Sequence, residues 1–297
     1  MTECTERSEG REGMPSQPGM TECTERSEGR EGMPRPADDG GRTVWDSSGF
    51  LELPDRDRKP RGRGLTHVLD KGMTTPTLEA LLAQAGDLID VIKIGWGIAY
   101  VDPTVKERVA LCNAADVLVC LGGTLLEVCV AQDRVDDLRR WAVDLGITAV
   151  EVSDGLQAMT PDQKAGLVRT LSADFTVLAE TGAKDSRAPV VSGRWLPEME
   201  ADLAAGARWV IAEGRESGTV GLYHDDGSVR VELVEAIAAR LPVDRVIFEA
   251  PRKAQQAWFI HRFGTGVNLG NVPSDEVLPL ETLRLGLRAD TARRMGR

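Results

Sequence analysis

The residues with chemistry to offer recur at one kind of place in this chain. Lys71, Lys93, Glu151, Glu180, Lys184, Glu213, Arg215, Glu249, Arg252 and Lys253 each stand at or just past the end of a short apolar run. A charged group at the end of a buried segment is costly unless it is paired or meets a metal. Several carboxylates converging on one place would repel one another, and Mg2+, a hard ion that prefers oxygen, suits such a group. Lysines there could compensate the carboxylates, clamp an anionic substrate, shift their pKa and act as acid or base, or form a Schiff base. For any single glutamate, a structural pairing with Lys or Arg252 weighs as much as a functional role. For the set, a functional mouth is the stronger reading.

The elements that must position these residues are eight apolar runs. They are LTHVLDKG (65–72), LIDVIKIGWG (88–97), DVLVCLGGT (116–124), ITAVEVSDG (147–155), FTVLAETGAKD (175–185), RWVIAEGRESG (208–218), RVIFEAPRK (245–253) and TGVNLGN (265–271). Continuous Val/Ile/Leu-rich runs are what parallel strands covered on both faces look like. Helical segments separate most of them, so the pattern predicts a (β/α)8 TIM barrel with its chemistry at the C-terminal strand ends. Segment 75–86 has Thr75 as a candidate N-cap, Pro76 in the first turn and Gly86 as a stop. Segment 160–171 opens with Thr160, Pro161 and Gln163, close to a capping box. Further helices are expected at 102–114, within 124–145 (one broken or two joined), and near 195–206, 229–240, 253–262 and 277–288, with Pro279 in a first turn or at a kink.

Composition narrows the class. The chain has 297 residues, and 41% are hydrophobic, enough for one barrel domain with a tail. A net charge of −11 argues against general nucleic-acid binding. No apolar run approaches a membrane-spanning length, and no secretory signal is visible. Cys112, Cys120 and Cys129 lie in apolar contexts and form no disulfide or zinc pattern, so a reducing cytoplasm fits best. Residues 1–44 stand apart. MTECTERSEGREGMP at 1–15 recurs at 20–34, and the segment nearly lacks aliphatics. It is expected to be a disordered tail, with the barrel domain spanning 45–297. The cluster Arg56, Arg58, Lys59, Arg61 and Arg63 before the first run reads as a solvated entry loop paired with Asp55 and Asp57.

The glycine-rich turns LGGT, EGRESGTVG and NLGN could present N–H groups to an anion, although such loops need glycine in any case. Arg252, Lys253, Gly270 and Asn271 close the seventh and eighth runs, where barrel phosphate sites often form. His67, His224 and His261 show no ligand spacing, and His67 reads as a core histidine. No nucleophile elbow, GxGxxG or Walker pattern is present.

The stretches KPRGRGLTHVLDKG, GDLIDVIKIGWG, CLGGTLLEV, VEVSDG, LAETGAKD, ARWVIAEGRESGTVGLY, VIFEAPRKAQQAWFIHRFG and VNLGNV, in this order over roughly 50–275, resemble the phosphosulfolactate synthase family. That family also contains plant heat-stress-associated 32 kDa proteins. The resemblance implies a Mg2+-dependent carbon–sulfur lyase that adds sulfite to phosphoenolpyruvate to give (2R)-3-phospho-sulfolactate, a step toward coenzyme M or sulfolactate. It further implies Lys184 as the general acid and Glu151, Glu180 and Glu213 as metal ligands. Lys71 and Lys93 would hold the carboxylate or sulfite, and Arg215, Arg252, Gly270 and Asn271 would bind substrate, with the last three at the phosphate. Glu249 is left to a structural pairing with Arg252 or Lys253. A homo-oligomer is expected. The alternatives are a heat-stress protein on the same barrel without synthase activity, and an aldolase-type lyase forming a Schiff base.

Overall fold

The computed structural model describes residues 50–155, 159–182 and 192–292. The polar tail and its duplicated block, Trp45, and the segment carrying Lys184 lie outside the described residues. Eight parallel strands close into a barrel in chain order: β1 (Thr66–Asp70), β2 (Val91–Ile94), β3 (Leu118–Leu121), β4 (Ala149–Val152), β5 (Thr176–Thr181), β6 (Trp209–Ala212), β7 (Val246–Glu249) and β8 (Asn268–Pro273), which pairs back onto β1. The helices are α1 (Thr75–Ala85), α2 (Ile98–Val101), α3 (Val105–Ala114), α4 (Gly123–Ala131), α5 (Val135–Leu145), α6 (Pro161–Leu171), α7 (Ser192–Ala205), α8 (Val231–Arg240), α9 (Lys253–Phe263), α10 (Val277–Arg284) and α11 (Ala289–Ala292). No helix among the described residues is long and apolar enough to cross a membrane.

Local signals explain several boundaries. The capping box at α6 forms, with Thr160 and Gln163 bonding each other's backbone N–H. The cap of α1 is Thr74 rather than the expected Thr75, because Thr74 is the residue with extended backbone whose hydroxyl accepts from Thr77 N–H. The expected helix at 102–114 is α3, which starts at Val105 with Asp102 and Pro103 in the turn before it, and α2 is a separate short helix ahead of that turn.

Strand alternation stacks the barrel interior in layers. Val91, Ala149, Leu178, Ile211 and Ile247 belong to one buried apolar cluster, joined by Leu65, Cys120 and Trp209. Two residues further along the same strands stand Lys93, Glu151, Glu180, Glu213 and Glu249. A period of two therefore sets an ionisable layer directly above the apolar one. A larger apolar shell fills the space between barrel and helices.

The opposite end of the barrel corrects an expectation. Arg63 does pair with Asp57 at 2.9 Å on the surface. Arg56 and Arg61, however, are not in a solvated loop. The side chain of Arg56 is 4% exposed and bonds Glu281 on α10, and Arg61 pairs with Asp90 at 3.0 Å. Lys59 donates to the carbonyls of Gly86, Ala115 and Asp116. Arg284, fully buried, donates to the carbonyls of Thr265, Val267 and Leu65. The segment closes the lower end of the barrel, where strand starts leave carbonyls that need donors.

Candidate active site

At the C-terminal end of the barrel lies a cavity of about 220 Å3. Lys93, Glu151, Glu180, Glu213 and Glu249 form its charged floor, with Leu69, Gly95, Trp96, Gly122, Gly123, Thr124, Arg215, Glu216 and Asn271 around them. Lys93 Nζ is 2.8 Å from Glu151 Oε2 and 3.0 Å from Glu249 Oε1. Glu151, Glu180 and Glu249 each offer an oxygen, and the three oxygens lie within 4.8 Å of one another.

Three of the four carboxylates accept from backbone N–H groups. Glu151 Oε1 accepts from Gly123 N–H at 2.8 Å, at the first turn of α4, where the helix dipole favours negative charge. Glu249 Oε2 accepts from the N–H groups of Gly214 and Arg215 at 2.9 and 2.8 Å. Glu213 Oε1 also accepts from Arg215 N–H, at 2.8 Å. Arg215 holds a left-handed φ of 57°, unusual for a residue with a Cβ, and this turns its N–H toward both acids. Gly221, also left-handed, sits against the Glu213 carbonyl with no room for a Cβ. Tyr223, buried in the same loop, donates its hydroxyl to the Glu249 carbonyl.

The electrostatics follow from the crowding. Burial, and then the Glu213, Glu151 and Glu249 carboxylates, push Glu180 well above the usual carboxylate range. Burial, and then Glu249, raise Glu213 to about 7, and Glu180 and Glu213 hydrogen-bond each other. For Lys93 burial opposes the charge. The summed attraction of Glu151, Glu249 and Glu180 overcomes it and holds the ammonium well above its ordinary pKa.

The expected site residues separate into groups. Lys93, Glu151, Glu180, Glu213, Arg215 and Asn271 all line the cavity. Asn271 has a left-handed φ of 51° and donates its N–H to His67 Nδ1, while its buried Oδ1 has no partner among the described residues. His67 is a core histidine, held neutral by burial and by Lys93. Lys71 is exposed just past β1 and does not line the cavity. Arg252 is exposed beyond β7, with its guanidinium against Gly227. Gly270 lies in β8 opposite Glu249, where a Cβ would crowd Ile247 and His67, so its missing side chain serves interior packing. Lys184 lies outside the described residues.

Glu249 is the clear correction. Its partner is Lys93 across the barrel, while Lys253 pairs with Asp290 on the surface. The close oxygen set is Glu151, Glu180 and Glu249, with Glu213 hydrogen-bonded beside it rather than within it. Thr124, at the end of the LGGT turn, lines the cavity as well, and so does Trp96, to which the sequence reading gives no role. Trp96 follows β2 within GWG with a left-handed φ of 51°, strained for an aromatic residue, and the flanking glycines were the available signal.

Comparison with known proteins finds relatives of this sequence. The model of the (2R)-phospho-3-sulfolactate synthase (ComA) family matches residues 54–290. The phosphosulfolactate synthase of Bacillus subtilis is 39% identical over 244 residues, 81% of this chain and 97% of the relative. That of Methanocaldococcus jannaschii is 41% identical over 235 residues, 77% of this chain and 94% of the relative. Protein HEAT-STRESS-ASSOCIATED 32 of Arabidopsis thaliana is 23% identical over 268 residues, 79% of this chain and 90% of the relative. With the matched segment running from the entry loop through all eight strands to α11, the chain belongs to the (2R)-phospho-3-sulfolactate synthase family.

Proposed function

We propose that this protein is a Mg2+-dependent phosphosulfolactate synthase that joins sulfite to phosphoenolpyruvate, giving (2R)-3-phospho-sulfolactate. The observation that carries the reading is the mouth itself: oxygens of Glu151, Glu180 and Glu249 within 4.8 Å of one another beside Lys93, in a chain of this family. The donor set fits Mg2+, being buried, all oxygen and in excess of the lysine paired with it. Bound there, Mg2+ would add positive charge for a substrate carboxylate.

In the proposed reaction the sulfur lone pair of sulfite forms a bond to C3. The C2–C3 π pair moves to C2 and spreads onto the substrate carboxylate, and a proton then arrives at C2. The cost lies in the growing charge on that carboxylate. Lys93 meets it with an ammonium already fixed by Glu151 and Glu249, so little reorganisation is needed. Arg215 and Asn271, which line the cavity, would contact the phosphate or sulfonate. Lys184 is the proposed proton donor to C2, on the strength of the resemblance.

The carboxylates around Lys93 oppose a Schiff base at that residue, which would need the neutral amine. Purified protein with sulfite, phosphoenolpyruvate and Mg2+ is expected to form phosphosulfolactate, detectable by mass spectrometry. Folded, Mg2+-loaded protein that yields no product would sink the reading in favour of a non-catalytic heat-stress role.

A further inference from the structure

Behind β5, outside the mouth, one buried cation has no part in the chemistry above. Lys164 lies on α6, and its side chain is 2% exposed. Its ammonium donates to Glu198 Oε1 at 2.6 Å and Asp202 Oδ2 at 2.8 Å, one turn apart on α7. Its third bond runs inward, to the backbone carbonyl of Glu180 at 2.7 Å. A lysine has three donors, and here all three are used. Two helices thereby grip the end of β5, at the residue whose side chain enters the carboxylate cluster.

A buried ion pair is poor evidence for stability alone, because an apolar pair of similar volume often does as well. What an apolar pair would lack is the bond to Glu180. That carbonyl sits where β5 ends and the chain departs toward α7, so its orientation sets where the Glu180 side chain starts.

We propose that Lys164 is a positioning residue, which fixes the Glu180 peptide and through it the carboxylate at the barrel mouth. This deepens the function proposed above and rests on it for the activity readout. Lys164 touches neither substrate nor the reacting atoms. It acts as the supporting groups behind metal ligands act, and loss of such groups typically costs about 10- to 100-fold in affinity or activity.

The test separates positioning from stability. Lys164→Met alone leaves Asp202 buried without its partner and is expected to lower Tm. The double variant Lys164→Met/Asp202→Leu removes the pair and is expected to recover most of that Tm. If Lys164 positions Glu180, the double variant still loses about 10- to 100-fold in kcat, with KM for phosphoenolpyruvate within about 2-fold. Its affinity for Mn2+, used as the spectroscopic probe for the metal, falls as well. Amide exchange at 178–182 quickens while that of α6 and α7 stays as in the wild type.

A double variant with wild-type kcat, Mn2+ affinity and exchange at the end of β5 overturns the proposal. Should the double variant not fold, Lys164→Arg and Glu198→Gln carry the same readouts. Arginine, which can donate to the same carbonyl, is expected to keep more Mn2+ affinity than methionine. If the wild type neither turns over nor binds Mn2+, the proposed function falls, and exchange at 178–182 alone decides the positioning role.

Discussion

The two ends of this barrel both bury charge, and they resolve it differently. At the lower end Arg56 meets Glu281, Arg61 meets Asp90, and Arg284 donates to three carbonyls, so each cation finds its partners within the chain. At the upper end Lys93 pairs with Glu151 and Glu249, while Glu180 and Glu213 crowd beside them and are pushed toward holding a proton. Burial alone therefore does not mark a site. An excess of one sign does, because it can be relieved only by a proton or by something that binds.

The sharpest way to break this contrast is Lys93→Met. At the upper end the ammonium is proposed to serve the reaction, and its removal adds to an existing excess of negative charge. Turnover is expected to fall about 10³-fold, as when a preorganised charge-stabilising group is lost, together with a drop in Tm. Steady-state kinetics at saturating Mg2+ would show it. A kcat within tenfold of wild type would make the upper lysine a structural partner like the lower arginines.

Arg56→Met tests the other side. Breaking a buried pair typically costs about 3–5 kcal/mol, and here it would strand Glu281, whose side chain is 6% exposed. Urea unfolding should report that loss, while kcat measured well below the transition stays unchanged. Arg56→Met/Glu281→Leu should return most of the stability. A large fall in kcat with little loss of stability would mean that the lower end is more than a plug.

What could be read from the sequence divides along similar lines. The barrel was legible because eight apolar runs alternate with helix signals, and each strand's charged end announces itself locally. Lys93, Glu151, Glu180 and Glu213 were found that way. The partner of Glu249 was not, because Lys93 lies 156 residues away and meets it only across the closed barrel. Arg56 looked like one more loop charge for the same reason, with Glu281 225 residues distant. Lys164 was invisible, since a lysine in the second turn of a polar-looking helix normally points to water. Local pattern encodes where a side chain stands on its own element; which groups neutralise it is settled by ring closure and helix packing.

The smallest of these effects is also the one that most directly reads the upper excess. In metal-free protein held in chelator, Glu213 keeps its proton up to about pH 7, whereas its ordinary value is 4.5. The folded state thus binds more protons than the unfolded state between those limits. Stability must fall as pH rises through that window, by at most about 1.4 kcal/mol per pH unit for one such group. Glu180, raised in the same direction, adds to the slope, and so does Asp202, which burial lifts to about 6. Glu213→Gln should flatten the slope without abolishing it and should raise the stability of the metal-free protein near pH 8, where the repulsion it removes is fully developed. Arg56→Met/Glu281→Leu, which removes the lower pair whole, should leave the slope between pH 5 and pH 8 intact. Unfolding free energies at a series of pH values decide the matter, and a Glu213→Gln curve parallel to wild type would mean that the upper carboxylates are already neutralised from within.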